Sequence, residues 1–363
     1  MNNNNRLFLD LHVIQNLPPS NINRDDTGSP KTCMYGGVTR ARVSSQSWKK
    51  AIRDYFIKNG NLENIGIRSL NVVEYVAEKI IKMKPDINKD DAMKLADKAF
   101  TNAGIKTKDY KVSALFFISD RQAENLAKAA IENIYDKNTL KKILNDDTAI
   151  DIALFGRMLA DDPSLNEDAS SQVAHSISTH GAQTEFDFFT AVDDFKAEAN
   201  AGAGMLGTVE FNSSTLYRYA NIALHDFLSK IKDKKSAIDA VKLFVKAFSN
   251  SLPTGKVNTF ANQTLPQLLL VTLRDDRPVN LVSAFEQPIK SDDGYEEKSI
   301  KALFKEYKKV LKFVNKPLAT FYIMANDIQT EDIGEEKPDL QDMLSSLENS
   351  LNTYLPEIRS DEI

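Results

Sequence analysis

Several residues in this sequence have types and spacings that could do chemistry. Ser47-Trp48-Lys49-Lys50 has the Ser-x-x-Lys spacing of acyl-serine enzymes, but no Ser-Asp-Asn or Lys-Thr-Gly follows it. His175 and His180 stand five apart, which does not bring two imidazoles onto one helical face as His-Glu-x-x-His does, and His12 and His225 are isolated. Asp25-Asp26 and Asp193-Asp194 could chelate a divalent ion, yet adjacent carboxylates more often cap loops or meet arginines. Pro253-Thr254-Gly255-Lys256 lacks the rest of a phosphate-binding loop. No catalytic constellation survives, and no catalytic residue, metal ligand or cofactor is expected.

The cations are better placed. From Arg24 to Lys58 there are eight Lys or Arg against three Asp, a net +5 in a chain of formal net charge −5. Such asymmetry implies one anion-binding surface on an acidic body; its bland counterpart is a solvated cluster. Ser44-Ser45-Gln46-Ser47 reads as the start of a helix, whose free N–H groups and hydroxyls would stand beside Lys49 and Arg53, one turn apart. Dipole, neutral donors and cations on one side suit a phosphodiester backbone. Arg24 and Lys31, on the preceding loop, can close over the same strand. On a helical wheel Trp48, Ala51, Ile52, Tyr55 and Phe56 share a buried arc, with Lys49, Lys50 and Arg53 on an adjoining arc expected to be exposed.

The elements that must position these residues read as follows. Strands are expected at Arg6–Gln15 and Arg40–Val43, separated by a loop from Leu17 to Gly37, and a helix runs from Ser44 or Ser45 to about Lys58. Helices follow at Arg68–Lys84, Asn88–Thr101, Ser119–Tyr135 and Asn138–Asp146. Strands are then expected at Ala149–Met158, Glu185–Val192, Gly207–Asn212, Ser214–Leu224, Gln267–Arg274 and Pro317–Ala325, with helices at Ser236–Ser249, Lys298–Phe313 and Leu340–Tyr354. This order implies an α+β domain interrupted by a helical insertion. Residues 197–207 are small and nearly uncharged, as at a hairpin tip, yet carry Met205 and Leu206. Those two either fold back onto the body or form a wedge against bases or a neighbouring chain.

With 363 residues, 42% hydrophobic and 27% charged, the composition is that of a soluble globular protein able to bury a core unaided. The single cysteine, Cys33, can form neither an internal disulfide nor a zinc ribbon, which fits a reducing, cytoplasmic location. The start of the chain does not read as a signal peptide, and the densest apolar runs, 114–118 and 268–273, are too short to cross a bilayer.

Taken as one run, Asn23-Arg24-Asp25-Asp26, Tyr35-Gly36-Gly37 and Arg42-Val43-Ser44-Ser45-Gln46-Ser47-Trp48-Lys49-Lys50-Ala51 resemble the CasC family, the backbone subunit of type I-E CRISPR Cascade. Further blocks follow in the family's order at Ile150–Met158, Ala174–His180, Phe189–Asp194 and Tyr217–Ile222, with a weaker echo at Asn280–Glu286. The resemblance implies a ferredoxin-like, RRM-related palm with a helical fingers insertion and a β-hairpin thumb. Residues 1–58 would begin the palm, 59–184 form the fingers, 185–224 the palm strands and thumb (tip about 197–208), and 225–363 the rest of the palm and a C-terminal helix. It also implies a non-enzymatic subunit that polymerises head to tail along a guide RNA (crRNA), holds its phosphates and presents bases to target DNA. The other partners would be neighbouring copies and other Cascade subunits, without a membrane. Carried onto this chain, Arg24, Lys31, Ser45, Gln46, Lys49, Lys50 and Arg53 hold the RNA backbone. Gln172 and Val173 lie at the fingers-side contact, and Met205, Leu206 and Thr208 on the thumb. The acidic stretch Leu159–Ser171 departs from the family pattern, and no RRM aromatic pair is found, in keeping with binding by backbone rather than by stacking. The alternative is a metal-dependent ribonuclease of related architecture, using Asp25–Asp26 or Asp193–Asp194 with His175 or His180.

Overall fold

Alternation along the first strand organises the molecule. In this computed structural model, which describes residues 6–60, 65–159, 162–192, 202–329 and 332–357, β1 (Phe8–Ser20) sits in the middle of a ten-stranded sheet. Leu9, Leu11 and Val13 face one core, while Asp10, His12 and Ile14 face the other way and are buried too. The polar members survive burial through partners: Tyr219 donates to Asp10 at 2.7 Å, and His12 meets the Tyr217 hydroxyl at 2.9 Å. Burial pushes the Asp10 carboxyl up to about 7 and the His12 imidazole down to about 3.

After β2 (Thr32–Tyr35) and β3 (Val38–Val43), helix α1 (Ser45–Asn59) lays Trp48, Ile52 and Phe56 on the first core. Full burial of such a side chain is worth about 1.5–3 kcal/mol. Next come β4 (Gly66–Ser69), α2 (Val72–Met83), α3 (Lys89–Ala103), β5 (Thr107–Lys108), β6 (Lys111–Val112), β7 (Phe116–Ser119), α4 (Asp120–Ile131), α5 (Lys137–Asn145) and α6 (Ile150–Phe155). From Val72 to Leu165 these residues build a second core of their own, around Val76, Ile80, Phe100, Phe116, Leu126 and Leu140. Side-chain caps at Ser44, Asn88, Ser119 and Asp136 start the helices where the sequence marks them.

The chain re-enters the sheet through β8 (Ser171–Val173) and β9 (Ser176–Ser178), followed by the hairpin of β10 (Glu185–Val192) and β11 (Gly202–Ala223). Then follow α7 (Leu224–Ile231), α8 (Lys234–Asn250), α9 (Val257–Phe260), β12 (Leu268–Arg274), α10 (Glu296–Val310), β13 (Ala319–Met324), β14 (Glu335–Glu336) and α11 (Leu340–Tyr354). The sheet order is β14-β13-β12-β1-β11-β9-β3-β2, with β8 and β10 also pairing to β11. Only β13 and β14 pair in parallel; the fold is thus mixed α+β around one large mixed sheet, with eleven α-helices among the described residues. Helices α1, α8 and α11 cover one face of the sheet, and α10 with residues 281–285 covers the other.

Three expectations are corrected. Residues 149–158 are not a strand: α6 occupies most of them, its short apolar run buried on several sides, and Gly156 at φ 78° ends it. The helix expected from Arg68 starts only at Val72, because Gly66–Ser69 pairs with β7. Gly207–Asn212 and Ser214–Leu224 belong, up to Ala223, to one continuous strand of 22 residues with Gly202–Leu206, in which pairing passes from β10 to β1 at Asn212 without a break.

Candidate nucleic-acid interface

The start of α1 is built by the loop before it. Ser44 caps the helix, its hydroxyl accepting from the Ser47 amide at 3.4 Å, and no acidic residue occupies the first turn. The Ser44 amide donates to the Asn23 side chain at 2.8 Å, the Lys31 amide to the Asn23 carbonyl at 2.9 Å, and the Arg42 amide to the Lys31 carbonyl at 2.9 Å. The loop bearing Arg24 and Lys31 is therefore sewn to β3 and to the helix start. Asp25 caps that loop, accepting from the Thr27 hydroxyl and the amides of Thr27 and Ser29, and the Thr27 hydrogen bond leads in holding its carboxyl low. It serves as a loop cap, the bland reading of the Asp25-Asp26 pair.

Arg24 and Gln46 are exposed, and Lys31, Ser45 and Lys49 are half-buried around this corner. Lys49 extends over the Phe155 ring, 6.0 Å from its centroid, and burial lowers its pKa. Lys50 is at the surface, paired with Asp54 at 2.6 Å. Arg53 does not belong to an exposed arc. It is 18% exposed and donates to Asp151, itself 1% exposed, at 3.1 Å, and its guanidinium lies 4.3 Å from the Phe117 centroid. A second bond reaches the Gly66 carbonyl. Arg53 thereby ties α1 to α6 and the β4–β7 ribbon, and α6 supplies the carboxylate that spacing within α1 could not reveal.

Of the second pair, Gln172 is exposed and accepts from Asn221 at 3.0 Å, whereas the Val173 side chain is buried in the main core and shows only its backbone. Thr208 is exposed on β11, paired with Phe188. The backbones of Met205 and Leu206 lie in β11; their side chains, residues 193–201 and with them Asp193-Asp194 fall outside the described residues.

Three groups escaped the sequence reading. Arg42 donates to the Thr32 carbonyl at 3.0 Å and meets His175 Nδ1 at 3.1 Å; burial, then Arg42 and Lys31, depress that imidazole. Arg42 and Lys31, with His175 beside them, form a cationic corner next to the α1 start, and the blocks containing Arg42 and His175 were the available signal. On β10, Phe186 and Phe188 are 67% and 66% exposed, on one face by strand alternation. Finally, Gly36 (φ 60°) packs so closely on the Glu286 carbonyl that any side chain would collide with it, and Arg40 donates to the carbonyls of Tyr35, Ser178 and Phe285. This clamp holds the β2–β3 turn. Arg157 and Arg218 are likewise internal: Arg157 bonds the carbonyls of Phe117, Leu144 and Leu165, and Arg218 lies 3.8 Å from the Trp48 ring centroid.

His180 has both ring nitrogens engaged, with the Thr215 amide at 3.1 Å and the Gly181 carbonyl at 2.8 Å. Among the described residues no group of three His, Cys, Asp or Glu is placed to hold a metal ion, and no helix is long and apolar enough to cross a membrane. What the corner offers is a helix start, hydroxyls and cations, a set suited to phosphate oxygens.

The family model described as CT1975-like protein matches residues 9–350. A chain of a solved structure titled "CRISPR RNA-guided surveillance complex, pre-nicking" is 30% identical with a TM-score of 0.84, over 95% of this chain and 100% of that one. Another, titled "CRISPR RNA-guided surveillance complex", is 29% identical with a TM-score of 0.65, over 94% and 99%. No curated protein matches. The CasC resemblance of the sequence blocks agrees with these matches, and this chain belongs to the CT1975-like family.

Proposed function

We propose that this protein is a crRNA-associated structural subunit of a type I-E CRISPR Cascade complex, polymerising head to tail along the guide. The observation that carries this reading is the match in fold to a chain of an RNA-guided surveillance complex along the full length of that chain. The strand order β12-β1-β11 followed by β8 and β9, with α1 and α8 on one face, supports a ferredoxin-like, RRM-related palm. The second core then corresponds to the fingers and the β10–β11 hairpin to the thumb. Arg24, Lys31, Arg42, Lys49 and Lys50, with the start of α1, hold guide phosphates; Gln172 and Thr208 contact the same strand, as do Met205 and Leu206. Arg53 acts from behind, by fixing α1. Because phosphates and not base edges are gripped, any spacer is accepted and its bases remain free for target DNA.

The test is the RNA that co-purifies. RNA of uniform length and variable sequence is expected, and a single RNA sequence, or none, would overturn the reading. With about five phosphate contacts per copy, the log–log salt dependence of single-strand RNA binding should have a slope near −3.5, at roughly 0.7 per contact.

A further inference from the structure

Among the described residues, each of the other buried arginines has an acid in reach: Asp276 for Arg274, Glu167 for Arg157 and Glu286 for Arg40. Arg218 on β11 is the exception. It is 1% exposed and, among the described residues, forms no ion pair. One end of its guanidinium donates to the Gln15 side chain at 2.5 Å and to the Phe248 carbonyl at 2.5 Å, while Nε is buried with no partner. The group lies against two rings, 3.8 Å from the Trp48 centroid and 4.5 Å from that of Phe248. Burial pushes it down to about 9, so it keeps its charge at neutral pH.

An isolated cation in a dry core is unfavourable, and an apolar side chain of like size commonly does as well or better. The neighbouring element offers no relief. Trp48 ends the first turn of α1, whose N-terminus is the positive end of the helix dipole and carries no acidic residue. Lys31 and Arg42 add further cations at the same corner. The missing anion can instead come from outside. A phosphate at the start of α1 would be parted from Arg218 by Trp48 and about one helix width, on the order of 10 Å. Across an apolar layer the field of a charge is weakly screened.

We infer that Arg218 is a positioning residue of the RNA interface, a buried charge that guide phosphates at the start of α1 neutralise from outside. Fold and bound strand then stabilise one another through it. This rests on the proposed reading of that corner. The test titrates a mixed-sequence single-stranded RNA into the parent and four variants at several salt concentrations. Gln15→Glu leaves Arg218 in place and sets a carboxylate on it; Arg218→Met removes the charge. Both should bind RNA about tenfold more weakly, the effect of one charge at roughly 10 Å. Arg218→Lys keeps the charge and should stay within about threefold of the parent. Gln15→Met removes the same hydrogen bonds without adding charge and should bind like the parent. The salt slope should hold in all four, because no phosphate contact worth roughly 0.7 is lost. Bound RNA should also raise the melting temperature of Gln15→Glu less than that of the parent. Parental affinity in Gln15→Glu overturns the inference, as does an equal loss in Gln15→Met, which would make the site merely structural. If Arg218→Met does not fold, the two Gln15 variants decide. A parent that binds no RNA overturns the guide reading and this inference together, whereas a parent that binds and is matched by Gln15→Glu overturns this inference alone.

Discussion

Lys49 and Arg53 lie one turn apart on α1, and their surroundings give them opposite uses. Arg53 faces a buried carboxylate, so Arg53→Glu sets two acids against each other inside the structure. Breaking a buried pair costs about 3–5 kcal/mol, and a clear loss of denaturant midpoint is expected. Lys31→Gln touches no ion pair among the described residues; stability should stay within about 0.5 kcal/mol, while the RNA salt slope falls by about 0.7. Beneath the sheet, Asp10 titrates near 7 in the folded state, with its ordinary value of 3.8 in the unfolded one. The folded state therefore holds the extra proton between those values, and Asp10 costs stability as pH rises through them. His12, displaced downward to about 3, has the opposite slope below 6.5 and masks part of this. Asp10→Asn should gain on the parent from pH 4 to 7 by up to a few kcal/mol, read from urea melts at each pH. The residue types were legible from the sequence here, and their settings were not. Asp151 lies far along the chain from Arg53, and the alternation of β1 gives no sign that its polar face is covered as well.

At the scale of elements, reading by period and caps found α1, α3, α4, α8, α10 and α11 but missed the short one-sided helix α7, whose start at Leu224 reads as the end of a strand. The cap at Ser44 and the arc of Trp48, Ile52 and Phe56 led directly to α1. It failed at α6, where burial on several sides erases the period, and at β11, where glycines imitate a loop. The clamp under the β2–β3 turn shows why Gly36 is glycine. Gly36→Ala adds a collision with the Glu286 carbonyl to an unfavourable φ of 60°, so the turn should loosen. About 1–3 kcal/mol of lost stability is expected, together with faster amide exchange in Thr32–Val43. On the hairpin, replacing Met205 and Leu206 by Gly should leave RNA binding in place and shorten the assemblies, as sized by light scattering. Assemblies of parental length would mean that these two side chains do not join copies.

Across the whole molecule, an acidic chain carries a net-positive stretch from Arg24 to Lys58, and helices α1 and α10 pack on opposite faces of one sheet. If copies pack head to tail as proposed, an array that does not close into a ring needs the length of the bound strand, or end subunits, to set the number of copies. Strand β11 links the projecting hairpin to the middle of that sheet. Its 22 residues, about 70 Å at the usual rise, pair with β10 at one end and with β1 from Phe8 to Ser20 at the other. In mechanical terms the hairpin is the exposed end of a beam whose other end is embedded in the protein. A pull on it along the strand loads the β1–β11 hydrogen bonds in shear, many at once, instead of unzipping them singly. A copy gripped by its hairpin should therefore yield only when its central sheet does, and forced unfolding from that point should show one large rupture with no early detachment of the hairpin.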